Sequence, residues 1–473
     1  MTTYSLTIRE DHFIKIQRHL LWPDGNEHVA YIICSEARAG ADPWDRETHR
    51  KFLSYEVVTV PDDQVVESTP QLVTWRTATF VSAIKKARAK NQFVAIIHNH
   101  PAGMTAFSAQ DDVNERDLIE LAQKRNGPDE SILSVILTPD GELQGRIWLH
   151  PNPKGHSPLR MIRVMGKDFR FYYPDRGRGV SPAAFHRQAL AFGQALNQDL
   201  SNLRIAVVGC GGTGSAVAAL LARLGVGQIV LIDNDIVDRT NLNRLHGARQ
   251  ADADAMLPKV IAVARSITEL GLGVRVVPVE AWVGDPGCRD ALRACDLIFG
   301  CTDDNEGRLF LNRLAFYYLT PVIDVGLAVD VSKDEPPEVK CLDGRVTVII
   351  PTQPCLSCRG VIDTKAAHDE TLRRTNPTEY TRRKAEAYVA GEGDPRPAVV
   401  TFTTEVATMG VNEMLQRIQG FRGPDGAINQ KLRKFHLGED FRPGSRPIPG
   451  CRICDDNAIW GRGDIVPFLD RIT

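Results

Sequence analysis

Between Arg204 and Asp233 the chain reads as one unit of a parallel α/β sheet. The apolar run Ile205-Ala206-Val207-Val208 is a buried strand by length and composition. It runs into Gly209-Cys210-Gly211-Gly212-Thr213-Gly214, after which Ser215 to Leu224 has a helical pattern. A second strand, Ile229 to Ile232, ends in Asp233. Strand, glycine turn, helix, strand and terminal acid form the order of a mononucleotide-binding βαβ unit, which commits this half to a Rossmann-like, doubly wound sheet. Gly209, Gly211, Gly212 and Gly214 let phosphate approach backbone N–H groups at the positive end of the helix. Asp233 can hold ribose hydroxyls. This pattern alone does not separate NAD from ATP.

The residues that follow make the separation. Asp233-Asn234-Asp235 leads through Asn241-Leu242-Asn243-Arg244 to Pro258-Lys259, and later to Cys301-Thr302-Asp303 with Arg308 beyond it. Hydride transfer has no use for Arg, Lys and a metal-ready Asp converging on phosphates. Adenylation does, because triphosphate charge must be neutralised while a carboxylate attacks the α-phosphorus. Over roughly residues 182–454 the chain resembles the ThiF-type adenylyltransferases, relatives of ubiquitin-activating enzymes. That family adenylates the C-terminal glycine of ubiquitin-like proteins.

The resemblance implies ATP and Mg²⁺ as cofactors. It puts Asp233 on the ribose, Asn241 and Arg244 on the phosphates, Lys259 in the transition state and Asp303 on Mg²⁺, with Asp235 in the same nucleotide set. It further implies that Arg187, followed by Gln188 on a helix before the first strand, is an arginine finger reaching into a partner subunit's site. A homodimer is therefore expected. Asp304 stands where the family usually has Asn.

A second constellation lies upstream. Residues 98–111 begin His98-Asn99-His100-Pro101, with Ser108 and Asp111 following. The apolar run Phe93 to Ile97 delivers both histidines to a strand end, where residues two apart project to one side. Asp111, on a polar helical run to Lys124, adds a carboxylate. Three N/O ligands leave one tetrahedral position open, the pattern of catalytic zinc. Ser108 is expected to hydrogen-bond the developing oxyanion.

This arrangement resembles the JAMM (MPN-type) metallopeptidases, which cleave after the C-terminus of ubiquitin or its relatives. The family needs a general-base glutamate at the start of a strand after the first helix. Glu27 matches by position, after the helical stretch His12 to Leu21 and before Val29 to Ile33. Glu36, at the far end of that strand, is the second candidate. Ala30 and Cys34 stand where the family usually has glycines.

Cys355-Leu356-Ser357-Cys358 and Cys451-Arg452-Ile453-Cys454 form two Cys-x-x-Cys pairs. Each can grip one ion from a single turn, and two such pairs make a closed Cys₄ zinc site. The spacing between them exceeds that of a zinc ribbon, but ThiF-type proteins have a site built this way. Many also carry a cysteine downstream of the first pair that takes the activated protein as a thioester. Residues 359–450 contain no cysteine, and His368 to Lys384 is charged and helical instead. The thioester step is therefore not carried over.

A chain of 473 residues exceeds one core and predicts two or three domains. Loop chemistry at Pro151 to Gly155 and Pro174 to Gly179 puts the boundary between 150 and 180, ahead of a helix from Pro182 to Leu200. The expected domains are a JAMM domain over 1–165 and a ThiF-type domain over 180–473. A net charge of -2 argues against general polyanion binding, so nucleic acid is not expected. No basic, apolar leader and no run of about 20 apolar residues is present, and no membrane association is expected. Ten cysteines, several in apolar strands or paired at Cys-x-x-Cys spacing, fit a reducing cytosol. A cytoplasmic protein is expected.

The combined reading is an α/β enzyme that adenylates a ubiquitin-like β-grasp protein and also trims or deconjugates it, in a bacterial ubiquitin-like pathway. A conjugating-enzyme-like protein is the expected downstream partner. Activation of a sulfur-carrier protein and a non-catalytic partner-binding scaffold are the alternatives.

Overall fold

The computed structural model describes residues 2–174, 176, 182–385 and 397–471. Among these, two large sheets carry the fold. The first is nine-stranded, with Val29–Ala39 near its middle. That strand runs antiparallel to Thr48–Thr59 on one side and to Phe93–Asn99 on the other. Phe93–Asn99 in turn lies parallel to Ile132–Leu137. Both faces of the sheet are covered, which explains why its central strands are continuous apolar runs. Helix Glu10–Leu20 packs Phe13 and Ile16 with Ile32, Phe52 and Ile97 on one face. Helices Thr77–Arg88 and Ala109–Asn126 bring Phe80, Ile84 and Ile119 against Tyr31, Ile33 and Ile96 on the other. At Cys34 the pairing with Thr48–Thr59 shifts register.

The second sheet is eight-stranded, in the order Arg275–Val279, Gln228–Ile232, Arg204–Val208, Leu297–Gly300, Val322–Val331 and three antiparallel strands beyond. The first five are parallel. The strand order reverses between Arg204–Val208 and Leu297–Gly300, creating the crevice where doubly wound sheets bind ligands. Helices Gly212–Leu224, Lys259–Thr268 and Val400–Gln419 pack on one face, and Asn305–Tyr317 on the other.

Two expectations are corrected. Residues 156–172, between the two stretches read as loops, contribute three strands to the first sheet, and Met161–Met165 pairs parallel with Thr2–Arg9. That sheet therefore continues to Tyr172, past the expected domain end at 165. The expected continuous helix from Pro182 to Leu200 is broken into His186–Phe192 and Gln194–Asn202. Gly193, at φ 81°, interrupts it, because that backbone conformation cannot continue an α-helix. Of the loop expected at 174–179, Asp175 and 177–179 lie outside the described residues.

The two halves are tied by buried charge. The Arg163 guanidinium donates to Asp296 at 2.7 Å, and Arg204 pairs with Asp42 and with Asp45. Lys51 donates to the carbonyl of Cys295 at 2.5 Å, and burial pushes its ammonium down to about 7. Removing one partner of such a buried set leaves an uncompensated charge, so the docking is geometrically specific. No helix among the described residues is long and apolar enough to cross a membrane.

Candidate functional site

The first centre is built at the end of Phe93–Asn99. His98 and His100 present Nε2 atoms 3.0 Å apart, and Asp111 places its two oxygens 3.3 Å from His98 Nε2 and 3.6 Å from His100 Nε2. His100 Nδ1–H donates to the carbonyl of Met104 at 2.9 Å, which orients the ring with Nε2 toward His98 and Asp111. Burial opposes charge on Asp111, but hydrogen bonds from His100 and His98 outweigh it and hold the carboxyl well below its usual range. The three residues converge within one ion's coordination distance.

Ser108 does more locally than expected. It is the N-cap of Ala109–Asn126: its hydroxyl accepts from the Asp111 N–H at 3.1 Å and donates to the Asp111 carboxylate at 2.8 Å. It thus orients a metal-ligand candidate, besides lining the same small cavity. Glu27 lines that cavity too, buried at 7% exposure, with its N–H bonded to Thr69 on an overlying hairpin, Val65–Thr69 and Leu72–Trp75. Burial raises its carboxyl above the usual range. Glu36 sits roughly 20 Å farther along the strand, paired with Arg50 at 2.5 Å in a different cavity. Geometry separates the two glutamates.

One supporting network was not anticipated. Glu115, one helical turn beyond Asp111, is buried and accepts from Ser134 at 2.5 Å, Arg146 at 2.8 Å and Trp148 at 2.5 Å. Arg146 also holds Asp112 at 2.6 Å and lies 3.8 Å over the Phe107 ring. The i, i+4 spacing of Asp111 and Glu115 was its only sequence signal.

The second centre joins the cysteine pairs. Cys355 and Cys451 sulfurs are 3.9 Å apart and those of Cys358 and Cys454 3.5 Å. Tetrahedral bonds of about 2.3 Å place thiolates ~3.8 Å apart, so the donor set fits one thiophilic ion. The Ile448 N–H donates to Cys358 sulfur at 3.3 Å, and Asn312 holds the Leu356 N–H at 2.9 Å.

The third centre is a cavity of about 1000 Å³ at the switch point. Gly209, Gly211, Gly212, Asp233, Asp235, Arg244, Lys259 and Asp303 all line it. A Cβ on Gly214 would sit 1.7 Å from the Gly209 carbonyl oxygen, so that glycine permits the tight turn. A Cβ on Gly211 would meet nothing within 4 Å, leaving open room for a phosphate. Asp233 accepts from the Cys210 N–H at 2.5 Å and the Asp235 N–H at 2.7 Å, which orients it at the crevice. Burial raises its carboxyl. Lys259 pairs with Asp235 at 2.7 Å, and Arg244 bonds the Thr240 carbonyl at 2.5 Å.

Three residues stand differently. Asn241 lies outside the cavity lining, its side-chain oxygen accepting from the Asp238 N–H at 3.2 Å to cap a short turn. Asp304 caps Asn305–Tyr317 through the Gly307 N–H at 2.7 Å. Arg187 is exposed beside Gln188, which reaches the Leu224 carbonyl at 3.2 Å. That is the far end of Gly212–Leu224, roughly 18 Å from the glycine turn, so Arg187 does not reach its own chain's cavity.

Parts of this chain are similar to known proteins. The sequence model described as prokaryotic homologs of the JAB domain matches residues 9–148. The SAMP-activating enzyme E1 of Haloferax volcanii is 29% identical over 159 residues, 34% of this chain and 54% of that protein. The molybdopterin-synthase adenylyltransferase of Escherichia coli is 31% identical over 163 residues, 34% of this chain and 59% of that protein. The chain thus spans little more than half the length of these curated relatives. A crystal structure of E. coli MccB with ATP is 17% identical, with a TM-score of 0.43 over 60% of this chain and 77% of that one. The ThiF family model matches residues 185–451, and the chain belongs to that family, with a JAB-type domain fused ahead of it.

Proposed function

We propose that the chain adenylates the C-terminal glycine of a ubiquitin-like β-grasp protein with ATP and Mg²⁺, and that its JAB-type half cleaves bonds at the same C-terminus. The carrying observation is the switch-point cavity, which gathers Asp233, Arg244, Lys259 and Asp303 around an open glycine turn. Relatives named for activating SAMP and for molybdopterin synthase support the substrate class. The reaction joins the substrate carboxylate to the α-phosphorus and breaks the bond to the β-phosphate oxygen, which departs with pyrophosphate. Lys259 and Arg244 stabilise the charge that develops, and Asp303 is the residue that would hold Mg²⁺. We place this chemistry in the cytoplasm.

In the first half, His98, His100 and Asp111 would hold zinc, which supplies Lewis acidity at the scissile carbonyl and to the attacking water. Glu27 takes the proton of that water and passes it to the leaving amine. The domains on this reading are a JAB-type half over 1–165, whose sheet runs on to Tyr172, and a ThiF-type half over 180–473.

Labelled pyrophosphate should exchange into ATP when the protein is mixed with Mg²⁺ and any β-grasp protein that a neighbouring gene encodes. No exchange with any such neighbour counts for a scaffold. Sulfur-carrier activation is the second reading, favoured by the absence of cysteine from residues 359–450 together with the molybdopterin-synthase relative. Exchange followed by thiocarboxylate, rather than transfer to a conjugating-enzyme-like protein, would identify it.

Two zinc ions per chain are expected. The first should be chelated without unfolding, because its fourth position is open, whereas stripping the Cys₄ ion should lower the melting temperature. His98→Ala should remove only the first ion, read by metal analysis. A homodimer is expected as well, with Arg187 completing the partner's site. Mixed dimers of Arg187→Ala and Asp303→Ala protein should regain part of the exchange activity that neither variant has alone.

A further inference from the structure

We propose that Arg373 is a phosphate-binding residue of the nucleotide cavity, supplied in cis by helix Thr364–Thr375 and engaging the β- and γ-phosphates of ATP. The inference rests on the adenylation reading and assigns a residue that reading does not use. This helix occupies the part of the chain where many ThiF relatives carry the acceptor thiol, and here it serves the cavity as a wall.

The helix is firmly placed there. Glu370 accepts from the Glu306 N–H at 2.8 Å and the Asn305 side chain at 3.2 Å, satisfying donors in the first turn of Asn305–Tyr317. One turn on, Arg374 donates to Glu306 at 2.5 and 3.1 Å and stacks 3.8 Å over Trp282. Trp282 in turn donates to Asp304, next to Asp303, at 3.3 Å. Residues 370, 373 and 374 are spaced to share one helix face, and all three line the cavity.

The cations around that cavity differ in how they are committed. Lys259 is paired with Asp235, Arg308 and Arg345 share Asp324, and Arg374 is paired with Glu306. Arg244 is bonded to the neutral Thr240 carbonyl and Asn243 side chain. Arg373 has no hydrogen-bond, ion-pair or ring partner among the described residues. It is exposed within the cavity wall, beside a paired arginine that locks the backbone carrying it. A triphosphate brings more negative charge than Arg244 and the already neutralised cations can offset. The glycine turn at the start of Gly212–Leu224 supplies N–H groups for one end of that anion. Arg373, on the wall that shares this cavity with Asp303 and Asp304, is placed for the other, where a planar five-donor fork binds phosphate oxygens well.

Calorimetry with MgATP and with adenosine, on the full chain, tests this. Arg373→Ala should bind MgATP roughly ten- to hundredfold more weakly, the factor that loss of one charge-assisted contact produces, while adenosine affinity is unchanged. Arg373→Lys should recover part of the loss, and exchange should show a raised KM for ATP in the same order. Lys365→Ala, an exposed charge removed from the same helix outside the cavity, should behave as the unsubstituted protein. Unchanged MgATP affinity in Arg373→Ala, or an equal loss for adenosine, would overturn the assignment. No binding of MgATP by the unsubstituted chain would instead remove the adenylation reading, and this assignment with it.

Discussion

Glu27→Ala should abolish cleavage of a β-grasp protein extended beyond its C-terminal glycine while leaving both zinc ions bound. Loss of a general base costs about 10²–10⁴-fold in rate, and that is the expected fall in kcat. The separation of effects follows from geometry. Glu27 shares a cavity with His98, Ser108 and Asp111 but is not one of the three residues whose donor atoms converge. On the proposed reading it serves proton transfer and not the holding of the ion. Its backbone N–H, tied to Thr69, survives the substitution, so the hairpin over the site should stay in place. Glu36→Ala is the matched control, breaking only a pair with Arg50 at the opposite end of the strand. A dead Glu36 variant beside an active Glu27 variant would reverse the assignment. Metal analysis on the same preparations separates loss of chemistry from loss of zinc.

Much of the histidine centre and of the glycine-turn cavity was legible because their chemistry is local. His98 and His100 lie at i, i+2 on a strand end, and Asp111 lies at the start of the next helix, so spacing alone brought them together. The glycine turn and Asp233 are fixed by one βαβ unit. What escaped was set by partners and backbone torsions that spacing alone does not register. Met161–Met165 carries Arg163 in its centre, a residue that reads as solvent-facing until Asp296, far along the chain, accepts its charge in the interior. Asn241, assigned to phosphate by resemblance, is held by Asp238 three residues before it, because a short Asx cap satisfies that turn. Gly193 broke a helix whose apolar spacing continued across it, since periodicity does not register a backbone torsion. The bonds of Glu115 to Ser134, Arg146 and Trp148 depend on sheet register, which one strand's sequence does not reveal.

The neighbouring aspartates Asp303 and Asp304 should fail in opposite ways. Asp303 is exposed and lines the nucleotide cavity, so Asp303→Ala removes charge from the place where Mg²⁺ would offset the triphosphate. Pyrophosphate exchange should fall by about 10²–10³-fold or more, as on loss of a preorganised charge-stabilising group. Asp304 instead works inside the fold. It accepts from Thr302, from Gly307 as the N-cap of Asn305–Tyr317, and from the Trp282 indole. Asp304→Ala should therefore cost about 1 kcal/mol of stability through the lost cap, with only a modest effect on exchange. Raising Mg²⁺ gives a second readout. Exchange by Asp304→Ala should saturate at the same Mg²⁺ concentration as the unsubstituted protein, whereas any residual activity of Asp303→Ala should require more. If Asp303→Ala retains full exchange, the metal-bearing carboxylate lies elsewhere in the cavity. If both variants lose exchange equally while remaining folded, the two aspartates act as one metal site, and the division between chemistry and capping is wrong.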